Sequence, residues 1–218
     1  MDWRRQLDVF YAEAVKLKAE GRNAEAADVE TKAAAVFEDL ERRAGQVPET
    51  LDVADALLGL AERDWPIWGD HPNVLSKLER ALAIRENLLS SSHSMVAGAV
   101  AKLAEFHFLA GRWGESEPLY RRAIALYDQK EDTREASYAA CQAGLAQTLF
   151  GLGRWAEADP YFVKATARAD DPHVLYFLLM ARSECLEKMA RPGEADAERR
   201  RAHGLLPKNN PGEFGFHV

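Results

Sequence analysis

The 218-residue sequence has few of the residues that make covalent or metal-bound frameworks. It contains two cysteines, Cys141 and Cys185. That is too few for a disulfide framework or a four-thiolate metal site, and an isolated cysteine commonly serves as a small buried hydrophobe. Basic charge is short as well: 28 Lys and Arg face 35 Asp and Glu, a formal charge of −7. Phosphate backbones bind through excess positive charge, so no nucleic-acid partner is expected. Long apolar runs are missing. The longest, Val174 to Ala181, has eight residues where a membrane span takes about 20, and the opening MDWRRQLDVF has no apolar core of the export-signal kind. These absences predict a soluble, cytoplasmic chain with no membrane insertion.

Catalytic constellations are absent too. The six histidines (His71, His93, His107, His173, His203 and His217) include no pair four residues apart. There is no His-Glu-x-x-His, no Cys-x-x-Cys and no Gly-rich phosphate loop ending in Lys-Ser or Lys-Thr. The expectation is a non-enzymatic chain without catalytic residues, metal or cofactor. His107 reads as a packed or partly buried side chain, with a ligand or acid–base role as its alternative. His71 and His173, each beside Pro and Asp, read as loop and cap residues.

What the sequence does have is one recurring frame. Gly21-Arg22-Asn23-Ala24-Glu25-Ala26, Gly111-Arg112-Trp113-Gly114-Glu115-Ser116 and Gly153-Arg154-Trp155-Ala156-Glu157-Ala158 share Gly-Arg, a variable pair, Glu and a small residue. Ala190-Arg191-Pro192-Gly193-Glu194-Ala195 is a weaker copy. Twelve residues after each start stands an alanine, at Ala33, Ala123, Ala165 and Ala202; nine residues after it stand Glu30, Tyr120, Phe162 and Arg199. Stepping 42 residues back from Gly111 reaches Gly69, followed at the same offsets by Leu78 and Ala81. Helical spacing runs on both sides of Gly153, with Leu145, Ala146 and Leu149 before it and Ala158, Phe162 and Ala165 after it. Each unit therefore reads as helix, tight turn, helix. The glycine supplies the left-handed or close-packed backbone that ends the first helix, and the glutamate sits where the second helix's dipole favours a carboxylate.

These residues resemble the tetratricopeptide repeat, from about Leu7 to Lys208. The 42-residue step, with strings such as GRWGESEPLYRRAIALYD, is similar to the longer repeats of kinesin light chains and their bacterial relatives. The resemblance implies an all-α, right-handed superhelical α-solenoid of about five helix-turn-helix repeats, in one domain over residues 1–208 with a tail at 209–218. Glu30, His71 and Arg199 depart from the apolar residues usual at their positions, which suits polar end units.

The resemblance also implies a concave groove lined by the first helix of each unit. Its inward positions are Gly98, Ala101, Glu105 and Phe108, then Ala140, Ala143, Gln147 and Phe150, then Phe177, Met180, Glu184 and Glu187. Comparable cations are only Lys18, Arg63 and Lys102, so a clamp for a peptide's terminal carboxylates is not expected. The small, apolar floor suits a protein or peptide partner with an amphipathic helix or apolar segment; its small residues equally suit close helix packing alone. The expected function is an adaptor or scaffold. The alternative is a chaperone-like or regulatory protein shielding a hydrophobic segment of a secreted or assembling partner.

Several conspicuous residues carry their own expectations. Trp113 and Trp155 are expected to pack against their own helix pairs. Trp65 to Pro72 reads as the longest irregular turn, with Trp65 and Trp68 either packed or forming a contact site. Ser90 to Ser94, Asp128 to Asp132 and Asp170 to Pro172 are expected to supply Ser or Asp helix caps. Arg199 to Arg201 reads as a solvated helix face. Phe214 and Phe216 predict a tail that docks on protein surface, in the same chain or, as a homo-oligomer, in a second copy.

Overall fold

The computed structural model describes residues 49–69, 72–90, 93–129 and 136–205, together with individual residues between Val9 and Lys32. The chain divides into two compact units, Met1–Thr50 and Leu51–Val218. In the first, helical residues flank a turn at Gly21, and Leu17, Ala26 and Val29 form a small core with Phe10 against it. Glu30, Ala33, His71, Phe214 and Phe216 lie outside the described residues.

The second unit holds four helix pairs among its described residues: α1 (Leu51–Trp68) with α2 (Pro72–Leu88), α3 (Ser94–Leu109) with α4 (Trp113–Asp128), α5 (Ala136–Gly151) with α6 (Trp155–Thr166), and α7 (Pro172–Lys188) with α8 (Pro192–His203). Each second helix also packs on the first helix of the next pair, so the unit is an all-α repeat solenoid. One apolar core runs through it from Ala54 to Cys185, and a smaller cluster of Tyr176, Leu179 and Ala202 lies in the last pair. The frame alanines Ala81, Ala123, Ala165 and Ala202 are buried, as are Leu78, Tyr120 and Phe162. Small residues let the paired helices approach and the larger ones fill the space beside them.

All five frame starts take the left-handed conformation: Gly21, Gly69, Gly111 and Gly153 at φ 57 to 74°, and Ala190 at φ 57°. At four of them the next residue closes the first helix. The backbone N–H of Arg22, Arg112, Arg154 and Arg191 donates to the carbonyl of Leu17, His107, Leu149 and Leu186, at 2.8 to 2.9 Å. Of the five, only Ala190 carries a Cβ, which crowds the backbone in this geometry at a cost of roughly 1–2 kcal/mol. Ala190→Gly relieves that strain and forfeits part of the gain to chain entropy. The expected outcome is a stabilisation of about 0.5–1 kcal/mol in urea melts, whereas Gly153→Ala loses about 1–2 kcal/mol.

Two local expectations are corrected. The stretch from Trp65 is not an irregular turn: α1 continues to Trp68, Gly69 N–H donates to Trp65 carbonyl at 2.8 Å, and the turn begins at Gly69. Pro66 falls in the last turn of α1, where it has no N–H to donate within the helix. The cap of α3 is His93, not a serine; its Nδ1 accepts from Met95 N–H at 3.2 Å. Asp171 caps α7 as expected, accepting from His173 and Val174 N–H.

Candidate functional site

The first helices form the surface of interest. α3 touches α5 and α5 touches α7, so residues at equal frame offsets lie on neighbouring helices. On α3, Gly98, Ala101, Lys102 and Phe108 are half-buried and Glu105 is exposed. On α5, Ala140 is exposed, and Ala143, Gln147 and Phe150 are half-buried. On α7, Phe177 is 52% exposed, Met180 is half-buried, and Glu184 and Glu187 are exposed. Ala101, Phe108, Ala143 and Phe150 rest on the continuous core and Met180 on the terminal cluster. Gly98 is walled by Arg85 and Tyr127, and Glu187 pairs with Arg199. Arg199 is therefore part of an ion-paired seam with Glu187 and Asp196.

Lys102 is held between Glu62 at 2.9 Å and Glu105 at 3.1 Å. Burial disfavours its charge, but the hydrogen bonds and charges of these two carboxylates outweigh that and raise its pKa. The side chains of Lys18 and Arg63 lie outside the described residues.

The junctions between pairs are built unequally. Between the second and third described pairs, the Trp113 ring lies over Gly151, and the Tyr120 ring fills the space a Cβ on Gly144 would take. Trp113 thus packs on the following pair rather than only its own, and 38% of it stays exposed. Trp155 is half-buried against the core. Arg154 reaches back to Glu117 at 2.7 Å and chelates its own Glu157 at 2.6 and 2.7 Å. Arg191 repeats this with Asp159 at 2.9 Å and Glu194 at 2.5 and 2.7 Å. The turn arginine therefore clamps two pairs, using the acid six residues after the preceding turn glycine. That offset is legible in sequence but means nothing until the pairs are stacked.

Glu157 and Glu194 are held below the usual carboxylate range, chiefly by hydrogen bonds from Arg154 and Arg191. A depressed carboxyl stabilises the fold above its unfolded pKa, and that contribution disappears as pH falls through the folded one. The melting-temperature gap between the wild type and Arg154→Gln should therefore close between about pH 5 and pH 3. It should be small throughout, because the pairs are exposed and screened.

Nucleophilic chemistry finds no support in the thiols. Burial, reinforced by Glu105, pushes Cys141 up to about 12, and burial with Asp159 pushes Cys185 up to about 11. Both side chains are buried, and the Cys185 thiol donates to Trp155 carbonyl at 3.3 Å. Native protein at pH 8 should leave both unmodified by a thiol reagent that labels them after unfolding. Among the described residues no group of three or more His, Cys, Asp or Glu could hold a metal ion. No helix among them is long and apolar enough to cross a membrane.

Stacked helix-turn-helix pairs with left-handed turn residues define a repeat solenoid, and known proteins share it. BtubC (BKLC) from P. vanneervenii superposes with a TM-score of 0.69 at 18% identity, covering 100% of this chain and 94% of that one. The nearly identical TPR-like repeats described as kinesin light chain from P. anserina give a TM-score of 0.64 at 16% identity, with 99% and 100% covered. MamA of AMB-1 gives 0.57 at 18% identity, with 90% and 96% covered. No curated protein matches the sequence. Residues 95–171 match the tetratricopeptide repeat family model. Residues 95–171 thus carry tetratricopeptide repeats, and the solved structures share the fold of the chain.

Proposed function

We propose that the protein is a non-catalytic interaction scaffold that binds a segment of a partner protein along the first-helix face of α3, α5 and α7. The observation that carries this is the composition and exposure of that face. Ala140 and Phe177 are exposed, and Ala101, Phe108, Ala143 and Phe150 form a half-open row of small and aromatic side chains seated on the core. Alanines leave room for a partner's backbone, and the phenylalanines offer contact area.

The test is affinity capture from the native host with three variants. Ala140→Arg and Phe177→Ala should reduce recovery of the partner at least about tenfold. Val163→Arg, at an exposed position on the second helix α6, should leave it unchanged. All three should melt within about 2–4 °C of the wild type. Loss only with Val163→Arg would move the binding surface off the first helices.

A further inference from the structure

The junction between the α1–α2 pair and α3 lacks what the later junctions have. Arg112 stands where Arg154 and Arg191 stand, but Leu75 stands where the acids Glu117 and Asp159 stand, and His71 stands where Trp113 and Trp155 stand. The acid of the clamp is therefore missing here, with Arg112 Nε donating to His107 Nδ1 at 2.9 Å, and the sequence offers no tryptophan wedge. At the next junction the Trp113 ring covers Gly151, two residues before its turn glycine. The corresponding residue here is Leu109, which is half-exposed and lines a pocket.

That pocket has a volume of about 310 Å³ and lies between α1, α2 and α3. Its walls include Ala61, Trp65, Val74, Leu78 and Phe106, with the Trp65 and Phe106 rings edge to face at 4.9 Å. Glu62, Lys102 and Glu105 belong to the same lining. Each carboxylate engages Lys102 through one oxygen, Glu62 Oε1 and Glu105 Oε2. The lining therefore carries one net negative charge, and the second oxygen of each carboxylate remains for an incoming donor. The volume is at the small end for a ligand site, on the scale of one large side chain rather than a cofactor.

We propose that this pocket receives a single bulky apolar side chain of a partner segment, flanked by lysine or arginine. The partner thereby supplies in trans the aromatic wedge that Trp113 supplies within the chain. This rests on the first helices being the binding face and names the partner's chemistry. The apolar side chain covers Trp65, Leu78 and Leu109; the flanking cation meets Glu62 and Glu105, and the overall charge of −7 favours its approach.

Three nine-residue peptides test it: acetyl-GSGKWKGSG-amide, the same peptide with both lysines replaced by glutamate, and the same peptide with tryptophan replaced by alanine. Titration is followed by amide chemical shifts of the protein. The Lys-Trp-Lys probe should shift resonances of Ala61 to Trp65 and Lys102 to Leu109, and the other two should bind at least about tenfold more weakly. The double variant Glu62→Gln/Glu105→Gln, at exposed positions that spare the fold, should weaken the Lys-Trp-Lys probe about tenfold, and Ala61→Met should block it. Equal or tighter binding of the acidic probe would overturn the basic partner, equal binding of the alanine probe would overturn the apolar anchor, and absence of shifts in this pocket would overturn the site. If the Lys-Trp-Lys probe fails while Ala140→Arg still abolishes partner capture, this inference falls and the scaffold reading stands.

Discussion

Replacing Gly144 with alanine is expected to destabilise the protein by about 3 kcal/mol, the upper end of what overpacking a core costs. The sign is unusual, because alanine in a helix interior is normally favoured over glycine by about 0.5–1 kcal/mol. Here the methyl group would sit inside the buried Tyr120 ring, which α4 presses against α5. Neither partner yields easily: one side is helix backbone and the other a ring enclosed by the core. Two controls isolate the cause. Gly59→Ala, at an exposed helical position with open space around it, should stabilise by about 0.5–1 kcal/mol. Tyr120→Leu in the Gly144→Ala background should recover stability relative to the sum of the two single changes. An additive double variant in urea melts would show that the two residues do not share this space.

The second large effect concerns Lys77 and Asp64, an ion pair joining α2 to α1 with side chains only 3% and 2% exposed. Asp64 Oδ1 has no hydrogen-bond partner, so the carboxylate depends on Lys77 for its compensation. Lys77→Met should cost about 3–5 kcal/mol, because it strands a buried charge. The double change Asp64→Leu/Lys77→Met should be neutral or stabilising by about 1–4 kcal/mol, since two apolar side chains avoid desolvating either ion. Chemical denaturation of the three proteins checks this. A double variant as weak as Lys77→Met alone would show that packing geometry, rather than charge burial, sets the cost.

Much of the fold could be read from the residues themselves because the repeat states its geometry locally. A glycine or alanine that must turn left, an arginine whose N–H closes the helix, and a small residue that must sit at a crossing are each dictated within a few positions. Gly111, Arg112 and Ala123 therefore carry the same information wherever they stand. The proposed binding face of α3, α5 and α7 came from the resemblance to the repeat, whose geometry assigns each frame offset a side of its helix. Tertiary packing, within and between pairs, decided which positions meet. Whether Trp113 lies over its own pair or over Gly151, whether Gly144 is open like Gly59 or filled by Tyr120, and whether Lys77 faces solvent or Asp64 depend on residues 13 to 38 positions away. The pocket beside Leu109 belongs to this second group. It is formed by residues missing from one unit of the pattern, and such a gap becomes a cavity only when three helices close around it.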